Sequence, residues 1–569
     1  MKMNRIILAI FTLAWVAASA LPVFAQSSST AKQPVIGSGN TVTADPPVAH
    51  PNTKPCVVSL FNNLEFADFN IKSFDYAPPA KCAGPWAKVI FVADFNETPG
   101  NQFDRTAEVT IGNVNVYYGT TPEPSSTLGP TWHVERDLTD YTALLKTAQA
   151  GQANLGNLVN STYTGIIYGN AEIEFYPPDW SSPAPTTPDV VLPIPNAPGG
   201  AVGLASTTSL LSQSFTLPQN VERAYLDVFA QGQSTDEFWY TCSPNDALAE
   251  TENTCGNTGF RETEISIDGT PAGVAPVYPW IFTGGIDPFL WFPLPGVQTL
   301  NFIPYRVDLT PFASVLSNGQ THTVSISVFN ADNYFNATGT LLLYLDRGSK
   351  QVTGEVTENS IGAGPNPNVV ENLTNSGGNV TGPITVTSAR DFSVAGYVNT
   401  SHGRVTTTVS ENLNFSNLQK YTITNTNYIQ DITQTTTLAS KTITRDGFLV
   451  TEQDRNFSYP LTLNYSQIEN SDGTFAVTTS IQQNYDTTET DKLNGFPVYF
   501  RSVSNSVSPT DTLDFDASFN FLGNSGQKSS QTYVSFDTFG GCYSKKLTAA
   551  GNVLTDVSGG SGCVNNNAK

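Results

Sequence analysis

AEVTIGNVNVYYG, residues Ala107 to Gly119, is a run of β-branched and aromatic residues set between turn residues. Its alternating Ala107, Val109 and Ile111 can face a core, which is the two-residue period of a strand. KVIFVADF (Lys88 to Phe95) before it and AEIEFY (Ala171 to Tyr176) after it repeat the pattern. Only DYTALLKTAQ (Asp140 to Gln149) hints at a helical period, so helices are expected to be minor. Several short strands at this spacing predict a β-sandwich over 56–180.

The segment Pro177 to Gly200 carries eight prolines in 24 residues, and proline both removes a ladder donor and stiffens extended chain. It is read as a linker, 181–200, before a second β region, 201–350. There AYLDVFAQG (from Ala224), TEISIDG (from Thr263), HTVSISVFN (from His322) and TLLLYLD (from Thr340) are the strand candidates. From 351 to 569 the chain turns Thr-, Asn-, Ser- and Val-rich. RVTTTVSENLNF (from Arg404) and TFAVTTSIQQNY (from Thr474) predict long antiparallel strands with one wet face.

At the start, Lys2 and Arg5 precede an apolar run that ends in Val23-Phe24-Ala25, as in a signal peptide covering 1–25. Residues 26–55, rich in Ser, Thr and Pro without periodicity, read as a flexible leader. The expected location is secreted or periplasmic, with no membrane span. Loss of Lys2 and Arg5 takes the net charge from -22 to -24, which argues against nucleic acid or an anionic membrane as partner. A monomer is favoured.

Six cysteines fall in three couples, Cys56 and Cys82, Cys242 and Cys255, Cys542 and Cys563. An exported chain should oxidise them; sequential pairing is preferred because each couple closes a short loop, though other connectivities stay open. The four histidines are scattered, no CxxC, HExxH or His-x-His spacing exists, and neither metal nor cofactor is expected.

No G-x-S-x-G elbow is present, so the informative segments are carboxylates beside arginines and aromatics. In NQFDRTAEVTIG, Asp104 and Arg105 stand at the mouth of a strand, on the rim of a sandwich; an ordinary surface ion pair would look the same. In QGQSTDEFWYTC, Asp236 and Glu237 precede Phe238, Trp239 and Tyr240. Rings that stack on sugar C–H faces beside carboxylates that accept hydroxyl hydrogens suit a sugar site. A core cluster with acids facing solvent is equally consistent.

The chain resembles the A-type peptide N-glycosidases from about Cys56 to Asp346. The resemblance rests on QFDRTAEVTIGNVNVY, TPEPSSTLGPTWHVERDLTDYTALL, NLVNSTYTGIIYGNAEIEFY, DEFWYT, FRETEISIDG, IFTGGIDPFLWFPLPG and YRVDLTPF in order. The part after 350 is similar to the family's less distinctive C-terminal region. The first two domains also resemble, more distantly, the bacterial F-type enzyme, whose two jelly-roll sandwiches hold the active site between them. The implied fold is all-β, two jelly-roll-like antiparallel sandwiches plus a C-terminal β domain.

The F-type W-D-R-x-A block matches FDRTA, which implies Asp104 as the catalytic aspartate and Arg105 as a substrate contact. DEFWY and FRETEISI match a second block and imply Glu237 and Arg261. Asp236, Trp239, Tyr240, Trp280 and Trp291 join the candidate substrate contacts, with a plain core role open for the last two. A further F-type glutamate should fall near Leu155 to Asn160, where LGNLVN has no acid.

The implied reaction is hydrolysis of the amide between Asn and the first N-acetylglucosamine of an N-glycopeptide or N-glycoprotein, in the acidic range. Asp104, held ionised by Arg105, would work on the water, and Glu237 would bind the sugar or a bridging water. A non-catalytic carbohydrate-binding sandwich or adhesin, or a glycoside hydrolase using the same paired carboxylates, remains the alternative.

Overall fold

The computed structural model describes residues 34–560 and 562–563. The signal-peptide expectation lies outside them. Every strand pairing recorded among the described residues is antiparallel, and no described helix is long and apolar enough to cross a membrane. The one stretch with a helical hint gives only two 3-10 turns, Thr139–Tyr141 and Leu144–Lys146.

The first sandwich has eight strands: Cys56–Phe66, Lys72–Tyr76, Lys88–Glu97, Thr106–Ile111, Val114–Thr120, Thr131–Asp137, Gln149–Leu155 and Ile167–Tyr176. Counted from one to eight, they run 1-8-3-6 in one sheet and 2-7-4-5 in the other. Apart from the hairpin of the fourth and fifth strands, successive strands thus alternate between sheets, as in a jelly roll. Gly112 and Asn113 join the fourth and fifth strands with φ of +55° and +64°. Two left-handed residues in a row make the tight hairpin whose twist matches its strands.

The second sandwich repeats this order with Val202–Leu204, Leu211–Thr216, Val221–Gln233, Glu262–Ile267, Thr270–Pro276, Tyr305–Asp308, Thr321–Phe329 and Tyr334–Leu345. Asp268 and Gly269 occupy its equivalent hairpin, again with positive φ. The proline-rich segment is more than a linker: Val190–Ile194 adds a strand to this sandwich by pairing with Gly339–Leu343. Its prolines are tolerated because an edge strand can lack a ladder donor.

The first sandwich offers no wet face at its fourth and fifth strands. Ala107, Val109 and Ile111 enter its core, while Glu108 and Tyr118 are buried on the opposite side. Tyr118 donates to Gln231 at 2.8 Å and Tyr117 to the Leu300 carbonyl at 2.7 Å. The two sandwiches therefore meet along the hairpin that carries the Asp104 strand.

The C-terminal part is a meander of long strands from Asn379–Thr400 to Val553–Gly559, each paired with the next. Gly403–Ile423 alternates buried and half-exposed residues along most of its length, the pattern of a one-faced sheet. Its covered face lies on the second sandwich: Phe415 packs on Trp239 and Phe260, and Gln483 donates to the Pro279 carbonyl at 2.6 Å.

The described part of the leader, 34–55, is not free. Ala44 is fully buried, its N–H donates to Gln531 at 2.7 Å and its carbonyl accepts from the Tyr543 hydroxyl. Val48 N–H donates to Glu135 at 2.7 Å. Aperiodic polar sequence became an ordered strap because its backbone groups find side-chain partners on two other domains. Disulfides join Cys56 to Cys82, Cys242 to Cys255 and Cys542 to Cys563, the sequential pattern.

Candidate active site

Asp104 closes the loop that enters the strand Thr106–Ile111, on the rim facing the second sandwich. The loop is built by Gln102, whose amide donates to the Leu158 and Gly165 carbonyls and whose Oε1 accepts from Arg105 Nη2 at 2.7 Å. Arg105 N–H donates to Thr121 Oγ1, and the Thr121 carbonyl accepts from Thr283 Oγ1. That bond draws the loop Ile281–Asp287 of the second sandwich up to Asp104.

Gly284 is required there. A Cβ built on it would lie 2.3 Å from Glu123 Oε1 and 2.5 Å from Asp104 Oδ1, so two carboxyl oxygens rest against a bare Cα. The Gly284 N–H lies against the Asp104 carboxylate and favours its ionised form. Ile286 adopts φ +68°, a strained conformation for a β-branched residue. The loop is held from behind: the Trp291 indole donates to the Gly285 carbonyl at 3.0 Å, and Asp287 caps the turn Pro288–Trp291.

Glu237 stands on the 3-10 turn Ser234–Thr241, which follows the third strand of the second sandwich, close enough for the Asp104 charge to raise it. Gly232 lets that turn fold back, since a Cβ would lie 2.2 Å from the Asp236 carbonyl. Asp236 anchors it: its Oδ1 accepts from Arg261 Nε and Nη2 at 3.0 and 2.8 Å, and its Oδ2 from the N–H groups of Asp332 and Asn333.

Two acids not anticipated from the sequence complete the cluster. Glu123 is buried on the loop after the hairpin, and its Oε1 accepts from Asp104 N–H at 3.3 Å. Glu97, at the end of Lys88–Glu97, is 2 % exposed with neither carboxyl oxygen hydrogen-bonded. The signal for Glu123 was present in TPEPSSTLGP, a glutamate between two prolines; Glu97 lay in FNETPG at a strand end, where an acid is usually solvated.

Burial lifts all four acids, by unequal amounts. Asp104 rises to about 6, with the Gly284 N–H and Arg105 pulling it back down. Glu123 rises to about 8 through burial and the neighbouring Asp104 charge, and Glu237 to about 8 for the same two reasons. Glu97 rises to about 8 through burial and then Glu123, against Arg105. One ionised carboxylate among three protonated carboxylic acids is an acid-base set.

The other sequence candidates are supports rather than surfaces. Asp236 and Arg261 have fully buried side chains and pair with each other, so neither has a face for a ligand. Trp239, Tyr240, Trp280 and Trp291 are all core residues. Their rings are taken up by contacts such as Trp280 on Phe302, because the C-terminal sheet and the loop Ile281–Asp287 cover them. The aromatic surface beside Asp104 is instead Phe103, half-exposed, tilted against Tyr163 at 5.2 Å and flanked by the Arg105 guanidinium.

A cavity of about 2270 Å³ lies elsewhere, under the strap, lined by Asp45, His133, Arg501 and Lys545 among others. It includes neither Asp104 nor Glu237. Among the described residues no group of three His, Cys, Asp or Glu is arranged to hold a metal ion.

The model of the family described as peptide N-acetyl-beta-D-glucosaminyl asparaginase amidase A matches residues 45–361. That of the PNGase A C-terminal domain matches residues 384–461. The peptide-N4-(N-acetyl-beta-glucosaminyl)asparagine amidase A of Prunus dulcis is 31% identical over 391 residues, 65% of this chain and 67% of its own. Among solved structures, PNGF-II is similar over 51% of this chain and 65% of its own, with 14% identity and a TM-score of 0.36. PNGase F, a glycosylasparaginase from Flavobacterium meningosepticum, is similar over 51% and 96%, with 16% identity and a TM-score of 0.34.

Proposed function

Because the chain belongs to the peptide N-acetyl-β-D-glucosaminyl asparaginase amidase A family, we propose that it is a secreted enzyme that releases whole glycans from asparagine and leaves aspartate behind. The bond cut is the amide between the Asn side chain and the first N-acetylglucosamine. Three disulfides support an exported protein, since the cytosol keeps thiols reduced. The glycan leaves as a glycosylamine, the direct product of breaking a carbonyl C–N bond.

One observation carries the chemical reading: Asp104, the most acidic of the four carboxyl groups, shares the Gly284 surface with a protonated neighbour. Asp104 orients water and takes its proton as the oxygen attacks the amide carbonyl carbon. Glu237, protonated at the opposite wall of the cleft, donates a hydrogen bond to the sugar or to a bridging water and stabilises the tetrahedral oxyanion. Arg105 and Phe103 meet the sugar, the ring through its C–H face.

The working range is weakly acidic to neutral, above the protonation of Asp104 near 6 and below the ionisation of Glu237 near 8. That window is less acidic than the range the family resemblance implies. Incubation with one defined N-glycopeptide tests the reading by the mass of the peptide product. Aspartate at the glycosylated position supports it; a peptide still bearing N-acetylglucosamine indicates a glycosidase, and an unchanged peptide a binding protein.

A further inference from the structure

Amide hydrolysis has a second proton problem that Asp104 and Glu237 leave open. An amine departs from a tetrahedral intermediate only if its nitrogen is protonated, because the amide anion is too basic to leave. The donor must hold a proton while Asp104 is ionised, and it must lie beside Asp104, since water and leaving nitrogen are bonded to the same carbon in the intermediate.

Glu123 meets both requirements. Its Oε1 and Asp104 Oδ1 converge on the one bare Cα of Gly284. Oε1 already accepts the Asp104 N–H, which leaves Oε2 to carry the proton. Behind it Glu97 is buried with both carboxyl oxygens idle. The charged and titratable neighbours are Asp104, Glu97 and Arg105, and Asp104 is the one that raises Glu123 beyond what burial does.

We infer that Glu123 is a third catalytic carboxyl group, the acid that protonates the departing glycosylamine nitrogen; the assignment rests on the amidase reading above. The water oxygen bonds to the side-chain carbonyl carbon and its proton passes to Asp104. When the C–N bond breaks, its electron pair stays on nitrogen, which takes the Glu123 proton. Asp104 then returns its proton to Glu123 across their shared surface. Both carboxyl groups regain their starting states, one water is consumed, and an acid and an amine are released.

The test compares two substrates with the same sugar and peptide, the natural amide and an ester in which oxygen replaces the linking nitrogen. An oxygen leaving group departs with far less help from an acid. Glu123→Gln is expected to lose about a hundredfold or more in kcat on the amide but less than about tenfold on the ester. Asp104→Asn is expected to lose both. Retained ester turnover also shows that the glutamine variant folds.

Amide turnover by Glu123→Gln at the wild-type rate, or equal losses on both substrates with glycopeptide binding intact, overturns the proposal. Should that variant bind no glycopeptide, Glu123→Asp decides. An amide-to-ester rate ratio lowered about tenfold supports the role, and an unchanged ratio overturns it. Failure of the wild-type protein to convert Asn to Asp would instead overturn the amidase reading itself.

Discussion

The Asp104 N–H donates to Oε1 of Glu123 across 3.3 Å, although 19 positions separate the two residues. The hairpin Thr106–Thr120 creates this contact by returning the chain to its own starting rim. A carboxyl group that would repel Asp104 is thereby tied to its backbone. Like charges so close cannot both ionise cheaply, so the pair divides into one base and one acid.

Asp104→Asn keeps the shape and removes the base. Turnover of a glycopeptide should fall about a hundredfold or more, with binding by calorimetry largely unchanged. Near-wild-type turnover would show that another group activates the water.

The pH profile follows from the raised acids. kcat/KM should rise with pH through about 6, as Asp104 ionises, and fall through about 8, as Glu123 and Glu237 lose their protons. Arg105 stabilises the Asp104 carboxylate, so Arg105→Gln should move the acidic limb to higher pH. An acidic limb that stays in place would mean that a different group titrates there.

The sandwiches were legible because β-branched and aromatic residues alternate in strands such as Ala107–Gly119, and because the C-terminal runs carry one apolar face each. Asp104 and Glu237 were singled out through the blocks that carry the family resemblance; by local pattern each could equally be an ordinary acid at a strand end or beside a core cluster. Glu123 carried only the faint mark of a glutamate between two prolines and Glu97 none, because the hairpin that returns Glu123 to Asp104 and the burial of Glu97 beside Glu123 are set by strand pairing and packing. Burial of Trp239 was equally hidden, while a core role for Trp280 and Trp291 had stayed open. It depends on a meander that begins more than a hundred positions after Trp239 and whose face toward the second sandwich no local pattern announces. The strap around Ala44 escaped because side chains, not a ladder, satisfy its backbone.

Asp236→Asn would leave the Arg261 guanidinium buried without its counter-charge. Breaking such a pair costs roughly 3–5 kcal/mol, so the urea midpoint should drop clearly. Because Asp236 anchors the turn that carries Glu237, the drop should come with a fall in kcat. A midpoint within error of wild type would remove the pair from its structural role.

Asp287 of the Gly284 loop lies beside Asp511 of the C-terminal sheet. Burial raises both, with the partner charge adding to Asp287 and, from the surrounding groups, Asp514 to Asp511 and Tyr465 facing the pair. In the unfolded chain both titrate near 3.8, so their stabilising share is full below that value and is lost as pH rises toward the folded values. The melting temperature should therefore fall between about pH 4 and pH 7, and Asp287→Asn should flatten that slope. An identical slope in the variant would mean that other acids dominate.

The most direct measurement is a turnover in heavy-oxygen water with a glycopeptide carrying one N-glycan. If Asp104 adds water to the side-chain carbonyl, the peptide emerges with aspartate at the glycosylated position and the heavy oxygen in that new carboxylate. The glycan leaves as an amine that slowly hydrolyses to a reducing sugar. A peptide that stays unlabelled and retains N-acetylglucosamine, with the heavy oxygen in the freed glycan, would contradict amide cleavage by this carboxylate cluster.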